Sequence, residues 1–384
     1  LFPWTQPGGP GDTRSPEGEA GDAGQESGDG VVLLLSGDGA GCLAPSHPNL
    51  LFGFLTHLLR DMGDQEIEPL ARGKVFRPAF HWNRPTFDFF LTQEGRIQKG
   101  LDREGYVRRL AESGFTHLEV NGLGVPRPME TGPPGEAYPM FYTYCPALDQ
   151  FVESDLGAGL YPREYLQANL DFLKGNAELA RRYGLVPGLL SFEPRHVPEA
   201  FFQRYPMLRG ARVDHPFRSF KPRYTMTTAH PLVREHYAQM LQRLMEAVPE
   251  LGYFSIWTND SGAGFEHTQS LYVGRNGGAY LIREWKSQEE IARVAGENAL
   301  RFFRVLRDAG RQVNPEFRVL TRMESFYGEH EVIWEGLEDG LEVETACLAT
   351  RGWEMPYRHP RYPDSGSFPA GSVSVPASAS VPAS

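Results

Sequence analysis

From about residue 75 to about residue 360 the chain repeats one rhythm, a short apolar run followed by a longer stretch with apolar positions three and four apart. The first pattern is that of a buried strand, and the second that of a helix with one apolar stripe. Strands are predicted at VFRPAFHW (75–82), FTHLEVNG (115–122), LVPGLLSFE (185–193), YFSIWTND (253–260), FRVLTRMESF (317–326) and LEVETACL (341–348). Leu166, Leu170, Leu173, Ala177 and Ala180 step by four and three, as do Val233, Tyr237, Met240 or Leu241, and Leu244, which predicts helices between the strands. Gly114, Gly184 and Gly310 follow helical stretches, where a left-handed C-cap is expected. Such alternation implies a parallel α/β sheet. A doubly wound sheet would carry a Gly-rich phosphate turn after its first strand, but HWNRPTFDFF stands there. The expected fold class is therefore α/β, a (β/α) TIM-type barrel with six strands evident where closure needs eight.

The flanks differ. Residues 1–30 are rich in Gly, Glu, Asp and Pro without apolar periodicity, and 363–384 is a Ser, Ala, Pro and Val tract. Both are expected to be disordered, because neither can bury enough to offset ordering entropy. Residues 31–70 read as a strand and a helix outside the barrel, with Leu51, Leu55, Leu58 and Leu59 packed against it. The barrel itself is assigned to 75–362.

Composition narrows the functional classes. A content of 40% hydrophobic and 12% aromatic residues fills a sizeable core, and 38 basic against 49 acidic residues give a net charge of −11. That balance offers no broad attraction to nucleic acid or anionic lipid, and no run approaches the ~18 apolar residues of a membrane helix. The chain reads as soluble, with nothing to separate a cytoplasmic from a secreted or periplasmic place. Cys42, Cys145 and Cys347 are odd in number and lack a C-x-x-C spacing, and His196, His215, His230 and His236 lack H-x-H or H-E-x-x-H spacing. No metal or cofactor is expected. No G-x-S-x-G elbow occurs either.

Carboxylates at strand ends remain. In GYFSIWTNDSGAGFEH a buried strand runs into Asn259, Asp260 and Ser261 and then a Gly-rich turn. Asp260, desolvated beside Trp257, would have a raised pKa and could protonate a leaving glycosidic oxygen; the plain alternative is a turn cap. RMESFYGEH puts Glu324 at the corresponding place on the next strand, with Arg322 two residues earlier on the same face. Two carboxylates are what glycoside cleavage requires, one as acid and one as base or nucleophile. Glu324 could instead pair with Arg322, and Glu344, the third catalytic candidate, with an arginine inside the barrel. Trp82, Trp257, Tyr327 and Trp353 could stack on a sugar ring. His81, Asn121 and Asn259 could hold its hydroxyls, and Glu193, Arg195 and His196 could take an anionic group or cap a loop. The expected partner is a carbohydrate substrate.

These segments, in this order, resemble the barrel glycosidases whose catalytic domain follows a small α/β domain, the α-glucuronidases and β-hexosaminidases. VVLLLSGDGAG and NLLFGFLTHLLRDMG look like the strand and last helix of that preceding domain, and FRPAFHW like the first barrel strand. HPLVREHYAQMLQRLM resembles the helix before the acid-bearing fourth strand, and IWTNDSG that strand's end. The resemblance implies glycoside hydrolysis on uronic-acid or amino-sugar glycans. In α-glucuronidases an Asp-Ser-Glu stretch stands at that strand end with the Glu as acid, whereas here Asp260, Ser261 and Gly262 stand, leaving Asp260 or Glu266 for that role. A barrel sugar isomerase or lyase, usually needing a divalent metal, and a carbohydrate-binding protein without turnover are the alternatives.

Overall fold

A computed structural model describes residues 4–5, 30–35, 41–47, 49–60, 74–78, 82–85, 102–123, 147–213, 222–260, 262–270, 274–277 and 287–344. Toward the amino end, β1 (Trp4–Thr5), β2 (Val31–Leu35), β3 (Gly41–Pro45) and β4 (Lys74–Pro78) form an antiparallel sheet in the order β1-β4-β2-β3. Helix α1 (Asn49–Arg60) lies on it. Its small core joins Val31, Leu33 and Phe76 to Leu50 and Phe54. The apolar stripe is thus set by Leu50 and Phe54. Leu51, Leu55 and Leu58 are only partly buried and Leu59 is 82% exposed, which corrects the expected packing face.

Two further expectations are corrected here. Trp4–Thr5, inside the stretch read as disordered, pairs with Arg77–Pro78. Lys74–Pro78, read as the first barrel strand, pairs antiparallel with Val31–Leu33, because alternation marks a strand without saying which sheet it joins.

The main body alternates α2 (Arg103–Glu112), β5 (His117–Glu119), α3 (Arg163–Arg182), β6 (Val186–Phe192), α4 (Glu199–Arg204), the hairpin β7 (Arg209–Arg212) and β8 (Tyr224–Met226), α5 (Pro231–Ala247) and β9 (Tyr253–Trp257). After the ribbon β10 (Gln269–Ser270) and β11 (Gly274–Arg275) come α6 (Gln288–Arg311), β12 (Arg318–Arg322), α7 (His330–Glu335) and β13 (Leu341–Glu344). Strands β5, β6, β9, β12 and β13 are parallel, and their order in space follows the chain without reversal. Right-handed crossovers in that order are expected to put the connecting helices on one face. Leu118, Leu189, Phe254, Ile256, Val319 and Leu341 accordingly share one core with Val107 of α2, Leu173 and Ala177 of α3, Leu241 and Leu244 of α5, and Phe302 and Leu306 of α6. Gly114 and Gly184 cap helices at φ 80° and 75°, as expected. Gly310 does not. It lies inside α6, where a Cβ would come within 2.2 Å of Phe317, so it is a close-approach glycine.

The opposite face carries Glu119, Leu190, Phe192, Tyr253, Ser255, Trp257, Arg322 and Glu344, by the period-two rule. Laid flat, four inter-strand steps would put β5 and β13 about 19 Å apart. Yet the Arg84 guanidinium ion-pairs with Glu119 of β5 and with Glu344 of β13. The sheet is therefore rolled into a tight arc around a polar and aromatic concave face.

Candidate active site

The last layer of that face, at the carboxyl ends of the strands, is a ladder of Phe192, Trp257, Arg322 and Glu344. Phe192 and Trp257 stack with centroids 5.3 Å apart and planes 16° apart. Arg322 sets its guanidinium carbon 4.3 Å from the Trp257 ring centre, and its Nε lies 3.4 Å from Glu344 Oε2. Because β9 lies between β6 and β12, the two neighbours approach Trp257 from opposite sides and cover both ring faces. Trp257 thus offers a partly exposed edge rather than the flat platform expected. Glu344 is held by Arg84 and Arg322.

Just beyond β9 the chain turns sharply at Asn259, which is fully buried with φ 56°. Asparagine tolerates this left-handed region better than most residues do. Its Oδ1 accepts from Phe265 N (3.2 Å), Thr268 Oγ1 (2.6 Å) and Asn276 Nδ2 (3.1 Å), and its Nδ2 donates to Ser325 O (2.6 Å). Gly264 makes room for this hub, since a Cβ there would stand 2.4 Å from Asn276 Nδ2. Asn259 is therefore a structural bracket, which corrects its assignment to sugar binding. The bracket joins two turns of interest: Asp260 follows Asn259 directly, and Glu324 precedes Ser325 in the 3-10 turn Met323–Phe326. Phe265 and Phe326 join the same turns again, ring to ring at 6.3 Å, over Phe302 and Phe303 of α6. Asp260 is half-buried, and its backbone pairs with Ala263.

Beyond β6, Glu193, Arg195 and His196 are 1%, 2% and 3% exposed. Glu193 Oε1 accepts from Leu148 N (3.0 Å), and Oε2 accepts from Arg195 N (2.9 Å) and Tyr237 OH (3.4 Å). Arg195 donates to Gln150 Oε1 at 3.2 Å, and Gln150 donates to Tyr165 OH at 2.8 Å. Burial, and then the nearby Asp149, push the Glu193 carboxyl up to about 7. Burial likewise raises Asp149 to about 6, against the opposing pull of Arg195; the residue is half-buried, but its Oδ1 is shielded from solvent. Glu193, Arg195 and His196 are thus buried and hydrogen-bonded among the segments that follow β5, β6 and β9.

The remaining candidates divide. Trp82 lies at the amino ends of the strands, stacked on His117 at 3.6 Å and edge-on to Tyr253 at 4.9 Å, so it cannot line the carboxyl end. Asn121 clasps Leu190 through both ends of its amide, donating at 2.6 Å and accepting at 3.0 Å, and so serves the sheet rather than a ligand. Tyr327, 64% exposed, follows the turn that carries Glu324. Glu266 is buried and accepts from Thr227 Oγ1. His81, His215, Ser261 and Trp353 lie outside the described residues, as does the side chain of Glu324. The reasoning from sequence missed Asp149, Gln150, Tyr237, Arg84 and Glu119. Only a raised count of polar residues in the loop after β5 could have hinted at the first two. Among the described residues no group of three or more His, Cys, Asp or Glu could hold a metal ion, and no helix is long and apolar enough to cross a membrane.

No protein-family model and no curated protein matches the sequence. Solved structures to which the chain is similar include a family 89 glycoside hydrolase from Clostridium perfringens, in complex with GlcNAc-alpha-1,4-galactose, at 12% identity, 86% of this chain, 38% of that chain and TM-score 0.46. A family 20 exo beta-N-acetylglucosaminidase from Vibrio harveyi is similar at 12% identity, 85% of this chain, 49% of that chain and TM-score 0.40. Streptomyces plicatus N-acetyl-beta-hexosaminidase is similar at 12% identity, 84% of this chain, 55% of that chain and TM-score 0.39. The chain spans between 38% and 55% of the length of these three proteins.

Proposed function

We propose that this chain is the catalytic part of a glycoside hydrolase, with Asp260 as proton donor and Glu324 as base or nucleophile. The observation that carries the reading is the hydrogen bond from Asn259 Nδ2 to Ser325 O, which ties together the turns bearing these two residues at the carboxyl ends of β9 and β12. Active groups of (β/α) barrels gather at that end, and the cation Arg322 and the edge of Trp257 border the same place. The chemistry follows from the residue types: one carboxyl protonates the leaving oxygen while the other attacks the anomeric carbon or activates water. Arg84 and Arg322 both contact Glu344, which would leave it part of the frame of the site. We further propose that the sheet belongs to a closed barrel, with the clasp of Arg84 on both outer strands as support. The catalytic part begins after Pro78, since β4 hydrogen-bonds into the antiparallel sheet.

The test compares Asp260→Asn and Glu324→Gln on an aryl glycoside with a good leaving group and on an oligosaccharide, across glucuronides and N-acetylhexosaminides. Loss of the acid is expected to spare the aryl substrate, which needs little protonation, while loss of Glu324 harms both. Wild-type rates in both folded variants would sink the assignment.

A further inference from the structure

Shortly beyond Glu324 stands a second glutamate, Glu329, which the mechanism above does not use. It is 1% exposed. Both of its carboxyl oxygens accept from Gln269 N, each at 3.2 Å. Its own amide donates to Phe326 O at 3.2 Å, which fastens it to the end of the 3-10 turn that bears Glu324. Gly296 of α6 lets this corner pack closely against the helix layer. A Cβ there would stand 3.5 Å from Glu329 Cβ and 2.8 Å from Val332 Cγ1 of α7.

Gln269 opens β10, and the residue before it, Thr268, is fully buried and donates through Oγ1 to Asn259 Oδ1 at 2.6 Å. Two consecutive residues of the ribbon thus reach two different turns. Thr268 holds the turn that leads into Asp260, and Gln269, through Glu329, holds the turn with Glu324. A direct bond also joins these turns, from Asn259 Nδ2 to Ser325 O at 2.6 Å. Two turns joined by one bond can swing about it, whereas a second, offset link closes a triangle and removes that freedom. Such a swing matters to catalysis, because reacting groups displaced by about 1 Å lose about a hundredfold in rate.

We propose that Glu329 is a positioning residue of the candidate active site: by holding the Gln269 amide it closes the triangle of Asn259, Ser325–Glu329 and Thr268–Gln269, and so fixes the Glu324 turn against Asp260. Its carboxyl oxygens face the ribbon backbone, so it takes no direct part in bond cleavage. What the side chain must supply is an acceptor at the right reach. Glutamine keeps one such oxygen and alanine keeps none. The triangle is independent of what the chain catalyses; its catalytic meaning rests on the reading proposed above.

The experiment measures kcat and KM on an aryl glycoside, per folded molecule, together with amide hydrogen exchange on the full chain without substrate. Glu329→Ala is expected to lower kcat about tenfold to a hundredfold at nearly unchanged KM, and Glu329→Gln to restore most of it. Thr268→Val cuts the same tie at its other end, so it should also lower kcat, and adding Glu329→Ala to it should cost little more. In the exchange measurement Glu329→Ala should lower protection at Gln269 and also at Phe265, whose amide is held by Asn259 Oδ1 at 3.2 Å, while amides inside β9 stay unchanged. Wild-type kcat in folded Glu329→Ala overturns the proposal, and should that variant not fold, wild-type kcat in Thr268→Val does the same. A glutamine variant as inactive as alanine also overturns it, since Glu329 would then belong to the chemistry itself. Should the wild type hydrolyse no glycoside, exchange decides alone. Loss of protection confined to Gln269 refutes the triangle, whereas loss that spreads to Phe265 upholds it, and only the reading of Asp260 and Glu324 falls.

Discussion

Replacing Asn259 with Ala is the sharpest test of the bracket that joins the two candidate turns. Four hydrogen bonds are lost, but their partners differ in what remains to them. Thr268 Oγ1 can still donate to Phe265 O at 2.8 Å, and Asn276 Nδ2 keeps Phe265 O at 3.2 Å. Phe265 N and Ser325 O lose the partner described here, and a buried group without one costs about 1–3 kcal/mol. Alanine at φ 56° adds about 1 kcal/mol that asparagine largely avoids. The sum is a loss of about 3–7 kcal/mol, a large share of the ~5–15 kcal/mol that holds a typical domain together. Asn259→Gly removes the backbone part alone, so it should be about 1 kcal/mol more stable than the alanine variant. Urea unfolding at low temperature, with unchanged m-values, measures both. An alanine variant within 1 kcal/mol of wild type, or a glycine variant less stable than alanine, would refute the bracket.

Other outcomes follow from single sites. Gly188→Ala would put a Cβ 2.2 Å from the buried Tyr253 ring, so a loss of about 1–3 kcal/mol is expected, read as a lowered Tm. In α1, Phe54→Ala is expected to cost about 3–5 kcal/mol and Leu59→Ala less than about 0.5, because the first side chain is fully buried and the second 82% exposed. Equal effects in denaturant unfolding would show that the face of α1 is misassigned. His236 is held down at about 4 by burial, so the unfolded chain binds its proton first and stability falls as pH drops from about 6.5 to 4. His236→Asn should flatten that slope by about 1.4 kcal/mol per pH unit, as followed by unfolding at several pH values.

Five of the six strands were legible from apolar runs alone, since buried parallel strands leave little else to read. The first was not. VFRPAF alternates as a strand should, but which sheet it joins depends on Val31–Leu33, more than 40 positions away. In α1 the helix was plain and its phase was not, because apolar residues nearly surround it and only contact with Phe76 selects Leu50 and Phe54. Asp260 and Glu324 stood out as strand-end carboxylates. Asp149 did not, for nothing local marks it, and its weight comes from meeting Glu193 across the fold. Trp82, Trp257 and Asn121 were misread for one reason: a polar or aromatic side chain at a strand end can be consumed by its neighbours, and sequence does not show the neighbours.

The double grip of Arg84 also bears on the order of assembly. Arg84 and Glu344 are about 260 positions apart, whereas β5, β6, β9 and β12 each pair with the next parallel strand along the chain. Closing so long a loop costs entropy that no nearby contact returns early, so the grip should form after the successive strand–helix pairs have added themselves one by one. During synthesis Arg84 would wait, holding Glu119 alone, until the last described strand leaves the ribosome. A nascent chain stalled short of Leu341 should then expose the concave face to a protease that the finished chain resists.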